Sequence, residues 1–64
     1  MNSISYIVNV LKVDITPYQK ELLVLIETNP KGYVREVLSK NPCFYVKQVV
    51  ELWNKYEQDY LAAV

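Results

Sequence analysis

Residues 42–62 read PCFYVKQVVELWNKYEQDYLA, and this stretch decides the fold. Its apolar side chains recur three and four residues apart, which is the spacing of one helix face; they are Val46, Val49, Trp53, Tyr56 and Tyr60, and Ala63 continues the spacing just beyond the stretch. Charges of alternating sign recur four residues apart on another side, at Lys47, Glu51, Lys55 and Asp59. The pattern predicts one long amphipathic helix over 42–62, with an apolar seam and a solvated face.

Prolines mark the helix starts upstream of this stretch. Asn29-Pro30 and Asn41-Pro42 each combine a good N-cap residue with a proline that suits the first helical position. Thr16-Pro17 is followed by Gln19, and a threonine with a glutamine three residues later fits a capping box. We therefore predict two further helices, over 17–28 and 30–40.

The same three prolines predict which residues are buried. The chain is apolar at the seventh and eighth residues after each proline. Recurrence at this distance is typical of a buried helix stripe. The six residues that we expect in the core are Val24, Leu25, Val37, Leu38, Val49 and Val50.

The leader, residues 3–13, fits two secondary structures. Ile4, Ile7, Val8 and Leu11 have helical spacing, whereas Ile4, Tyr6, Val8 and Val10 alternate as in a strand. A single strand would have no partner elsewhere in the sequence, so we predict a helix. The fold class that follows is all-α: a small four-helix, helix-turn-helix-like bundle forming one domain over 1–64, with a long C-terminal helix.

Composition excludes several classes of function. The chain has no histidine and one cysteine, which rules out an internal disulfide and a conventional zinc site. Its single glycine, Gly32, cannot form a glycine-rich phosphate loop, and Cys43 has no histidine to serve as its base. We therefore expect a protein that is not an enzyme and binds no cofactor and no metal.

Charge and hydropathy indicate which cellular compartment and which kinds of binding partner to expect. Seven basic residues balance seven acidic ones, so net charge favours neither nucleic acid nor anionic lipid. The longest apolar run, residues 22–26, is far too short to span a membrane. A lone cysteine without an export signal favours a reducing compartment. We expect a cytoplasmic protein that does not bind membranes.

Residues 15–50 resemble the helical core of helix-turn-helix regulators, in which a first helix ends near an Asn-Pro and a short helix, a turn and a recognition helix follow. The resemblance implies DNA binding through residues 30–48, where four cations face Glu36 alone. The candidate DNA contacts are Lys31, Arg35, Lys40, Tyr45 and Lys47. The family's turn usually carries a glycine, whereas this turn reads Ser39-Lys40-Asn41-Pro42-Cys43.

Residues 14–23, DITPYQKELL, are similar to the segment before the ATPase motor of phage large terminases. In that family a Tyr-Gln or Trp-Gln pair approaches the adenine, but no phosphate loop follows here. The likeness implies a phage or mobile-element origin, and we interpret Gln19 as a capping residue.

The long C-terminal helix suggests a protein interface. A helix over 42–62 would span about 30 Å, whereas helices over 17–28 and 30–40 would span roughly 16–18 Å. We expect part of the seam to be exposed, with Trp53, Tyr56, Tyr60 and Leu61 as the interface for a partner protein or a second copy. The alternative is that the leader folds back and buries the seam within one chain.

Overall fold

A computed structural model describes residues 1–29 and 32–63. In these residues four helices follow one another. Helix α1 begins with one α-helical turn at Ser3–Ser5 and continues as a π-helical turn at Tyr6–Val10; α2 is Pro17–Thr28; α3 is Tyr33–Ser39; and α4 is Phe44–Tyr56, extended by a π-helical turn at Glu57–Leu61. No strand occurs in the described residues. The predicted all-α bundle with its longest helix last is confirmed, and the leader is helical.

The start of α2 is the one that was predicted. The Thr16 hydroxyl accepts a hydrogen bond from the Gln19 backbone N–H at 3.2 Å, and the Gln19 side-chain oxygen accepts one from the Thr16 N–H at 3.0 Å. Both orphan donors are therefore satisfied, and Pro17 occupies the first helical position, where no donor is required.

The predicted N-cap at Asn29 is wrong. Asn29 ends α2 instead, because its backbone N–H donates to the Ile26 carbonyl at 3.3 Å and its side-chain amide donates to the Leu25 carbonyl at 2.7 Å. Helix α3 begins at Tyr33, after Gly32 in the left-handed region at φ 77°. Pro30, which we predicted as the first helical residue, lies outside the described residues.

The second Asn-Pro places the start of α4 two residues too early. The Asn41 side-chain oxygen accepts a hydrogen bond from the Cys43 N–H at 2.8 Å, which forms a compact turn around Pro42. Cys43 is extended and becomes the N-cap, so the helix begins at Phe44. Helix α4 nevertheless continues to Leu61 without interruption, as predicted for a long C-terminal helix.

The core lies where α1, α2 and α4 meet. The buried apolar residues are Ile7, Leu22, Leu23, Ile26, Val46, Val49, Val50, Trp53 and Tyr56. Val24, Leu25 and Val37, which we expected in the core, are exposed. The capping box turns Gln19 inward, so α2 presents positions 19, 22, 23 and 26 to the core and residues 24 and 25 fall outside this arc.

Candidate functional site

The predicted aromatic interface is mostly covered. Trp53 is 8% exposed and Tyr56 is 4% exposed, so the expected exposure of these two rings is wrong. Tyr60 is partly buried, and Leu61 is exposed as predicted. The physical reason is that α1 folds back over α4, which was the alternative left open by the sequence: the Tyr6 ring lies 5.5 Å from the rings of both Tyr56 and Tyr60.

Hydrogen bonds add to this cover. The Tyr56 hydroxyl donates to the Met1 carbonyl at 3.0 Å, and the Ser3 N–H at the start of α1 donates to the Glu27 carboxylate at 2.7 Å. Burial, with smaller contributions from the nearby charge of Glu27 and from Tyr60, raises the pKa of the Tyr56 hydroxyl above its ordinary value. The seam is therefore closed by polar as well as apolar contacts.

The candidate DNA contacts are divided by the fold. Arg35 is held by an ion pair, in which its Nη1 lies 2.7 Å from Glu57 Oε1. Lys40 and Lys47 are exposed, and Lys40 has only a loose 4.0 Å contact with Glu36. Lys31 lies outside the described residues. The exposed cations thus flank the first turn of α4, whereas Arg35 is turned toward the end of that helix.

Two exposed aromatic residues occupy the first two positions of α4. Phe44 is 71% exposed and Tyr45 is 56% exposed, with their ring centroids 5.6 Å apart in an edge-to-face arrangement. The buried Gln19 side chain donates to the Tyr45 carbonyl at 3.1 Å, which brings the first turn of α2 beside the first turn of α4. The exposed ring of Tyr18 belongs to that turn of α2. We call Tyr18, Phe44 and Tyr45 the aromatic end.

Of the open grooves on the described surface, two lie on α2 and α3 away from the aromatic seam. One, of about 470 Å³, lies between α3 and α4 and is lined by Arg35, Glu36, Ser39, Val50 and Asn54. The other, of about 420 Å³, lies on the outer side of α2, where Lys20 and Glu21 flank the exposed pair Val24 and Leu25.

In residues 1–29 and 32–63, no three side chains of the metal-binding types come together, and none of the helices there has the length and apolarity needed to cross a membrane. Cys43 carries a free thiol and is exposed at the start of α4.

From the sequence, Tyr45 is a candidate DNA contact only, and the exposed pairing of Phe44 with Tyr45 at the start of α4 is not predicted. A signal was present, since neither residue has the spacing of the seam that runs from Val46. Comparison with protein-family models, with curated proteins and with solved structures finds no match.

Proposed function

We propose that this chain is a small, non-enzymatic interaction protein of the cytoplasm that binds a partner protein through the aromatic end. The observation that carries the proposal is the exposure of Phe44 and Tyr45, at 71% and 56%. Large aromatic side chains are enriched at protein interfaces and dominate their binding energy. Fully burying a side chain of the size of phenylalanine stabilises a complex by about 1.5–3 kcal/mol.

The aromatic end has a fixed backbone before any partner arrives. Gln19 joins its two helices by donating to the Tyr45 carbonyl and, at 2.9 Å, to the Gln48 side chain. Because the first turns of α2 and α4 are already ordered, binding would require the exposed rings of this chain to be ordered but not its backbone. A pre-organised surface retains more of its contact energy as affinity.

Charge supports a protein partner rather than a strongly charged polymer. The chain carries seven cations and seven anions, and Lys47 is the nearest exposed charge along α4. A neutral chain with an apolar patch and a polar rim has the composition expected of a protein interface. The free, exposed thiol of Cys43 is consistent with a reducing compartment, which supports the cytoplasmic location.

The test compares two variants that each remove exposed apolar side chains. Immobilised wild type, Phe44→Ser/Tyr45→Ser and the control Val8→Ser/Val10→Ser would be incubated with extract of the native host, and retained proteins quantified. We expect a protein retained by wild type and control and lost by the aromatic variant. Sedimentation of the chain alone would show whether that protein is a second copy. Equal retention by all three chains would reject the proposal.

A second candidate, a DNA-binding regulator, is favoured by the exposure of Lys40, which precedes α4, and of Lys47, which shares the first turn of α4 with Tyr45. Two or three phosphate contacts would give weak binding that falls steeply with salt. The measurement is affinity for duplex DNA at low and moderate salt, with Lys40→Ala/Lys47→Ala against the control Lys55→Ala. Absence of binding at low salt would remove this function.

A further inference from the structure

We propose that α1 exchanges between two copies of the chain, so that the surface of α2 and α4 that holds α1 also accepts α1 of a second copy. We call this surface the α1 groove and define it by Glu27, Tyr56 and Tyr60, the residues that contact α1 through hydrogen bonds or ring packing. The proposal uses a different surface from the aromatic end and does not depend on it.

The occupant is identified by the segment that already fills the groove. Ile7 is fully buried, and Tyr6 packs against both tyrosines of the groove with ring centroids 5.5 Å apart. The α1 groove therefore fits a short helix that places an aliphatic and an aromatic side chain next to each other on its inner side. A second copy of the chain supplies that helix with the same shape and chemistry.

The groove also recognises the beginning of the helix. The Glu27 carboxylate accepts the Ser3 N–H, one of the donors that a helix start leaves without an internal partner. The Tyr56 hydroxyl donates to the Met1 carbonyl just before that start. These bonds fix the direction in which α1 lies, so an α1 from another chain would enter in the same orientation and satisfy the same groups.

The linker between α1 and α2 gives the exchange a physical cause. Lys12 has a φ of 59°, in the left-handed region that residues other than glycine and asparagine rarely adopt. This conformation lets the chain reverse between Val10 and Pro17 and return α1 to its own groove. In an exchanged dimer the linker extends toward the other copy, and Lys12 returns to a negative φ. Short linkers under strain favour such exchange.

Concentration sets the balance between the closed monomer and the dimer. A short linker holds α1 near its own groove at an effective concentration in the millimolar range. The closed monomer therefore predominates in dilute solution, and the dimer grows as the protein concentration approaches that range. Changes at Lys12 should move this balance without altering any residue of the groove.

The experiment substitutes Lys12 in two opposite ways. Lys12→Pro fixes φ near −65° and disfavours the helical conformation of Leu11, so it blocks the closed linker. Lys12→Gly accepts the observed φ and relaxes the closed linker. All chains would carry Cys43→Ser, which removes disulfide-linked dimers. Each exchanged dimer relaxes two linkers, so sedimentation velocity over a concentration series should show the dimer at a concentration at least about tenfold lower for Lys12→Pro and at least about tenfold higher for Lys12→Gly.

Two further variants identify the dimer as the exchanged one. Adding Ile7→Asp to Lys12→Pro should abolish the dimer, whereas adding Phe44→Ser should leave it, and the Trp53 fluorescence of the dimer should stay that of a covered ring. A folded Lys12→Pro chain that remains monomeric would overturn the proposal, as would a dimer that survives Ile7→Asp. Should circular dichroism show that Lys12→Pro is unfolded, equal dimer fractions for wild type and Lys12→Gly would overturn it instead.

Discussion

The Gln19 side chain donates to the carbonyl of Tyr45 at 3.1 Å and so joins the first turns of α2 and α4. Its amide nitrogen also donates to Gln48, and its oxygen accepts the Thr16 N–H. The Gln19 residue itself is 1% exposed, whereas its partners Thr16 and Tyr45 are exposed and Gln48 is half-buried. One buried amide therefore starts one helix and fixes the position of another.

Gln19→Ala should lower the free energy of unfolding by about 2–3 kcal/mol, because it removes half of the capping box and the hydrogen bonds that Gln19 donates to Tyr45 and Gln48. The measurement is urea denaturation followed by circular dichroism. The matched control is Gln58→Ala, an exposed glutamine on α4, which should change the value by less than about 0.5 kcal/mol. A loss below about 1 kcal/mol for Gln19→Ala would contradict this role.

The ion pair of Arg35 and Glu57 should contribute little to stability. The two side chains are 36% and 48% exposed, so water screens their attraction. A double-mutant cycle of Arg35→Ala and Glu57→Gln should give a coupling energy of about 0.2–1 kcal/mol, measured by urea denaturation. The coupling should shrink in high salt. A coupling above about 2 kcal/mol would show that the pair is shielded from solvent.

Tyr56 should make the protein less stable in alkali. Its pKa is raised above 10.0, so above that pH the unfolded chain releases the proton before the folded chain does. The folded state then binds more protons, and the free energy of unfolding falls as pH rises from about 10 toward the folded pKa. Urea denaturation at a series of pH values should show a shallower fall for Tyr56→Phe than for wild type.

Tyr18→Phe, the same substitution at an exposed tyrosine, serves as the matched control for this measurement. At neutral pH, Tyr56→Phe should cost about 0.5–1.5 kcal/mol through the lost hydrogen bond to Met1. An alkaline profile of Tyr56→Phe identical to that of wild type would count against a raised pKa at this position.

Trp53→Ala should leave the chain largely unfolded at 25 °C. Removing a buried tryptophan typically costs about 3–5 kcal/mol, which is as much as the core of so small a domain usually supplies. Leu61→Ala, at an exposed position of the same helix, should change the melting temperature only slightly. Thermal melts by circular dichroism would compare the two, and a well-folded Trp53→Ala chain would show that the ring contributes little to the core.

The sequence predicted a helix start correctly where the capping side chain had a single hydrogen-bond partner within reach. Thr16, Pro17 and Gln19 formed the expected capping box because all of its groups lie within one turn. The roles of Asn29 and Asn41 were harder to predict, since an asparagine side chain can form hydrogen bonds with the backbone of residues before it or after it in the chain. Asn29 turned back to the carbonyl of Leu25, and Asn41 bonded forward to Cys43. Which side is chosen depends on the packing of the whole chain.

The exposure of the seam could not be predicted from its own spacing. Trp53 and Tyr56 follow the helical period as expected, but their burial depends on α1, which lies more than forty residues away in sequence. Residues 3–13 fit a helix and a strand equally well, so the sequence does not predict how much of the α4 seam this segment covers. The exposed rings of Phe44 and Tyr45 lie in the first turn of α4, off the buried face that begins at Val46.

The thiol of Cys43 gives a natural attachment point for spectroscopic probes. It is the chain's only cysteine, it is exposed, and it immediately precedes Phe44. A maleimide dye would therefore attach at a single known position without any engineered residue. Its emission would report, in real time, when another molecule approaches the two rings that open α4.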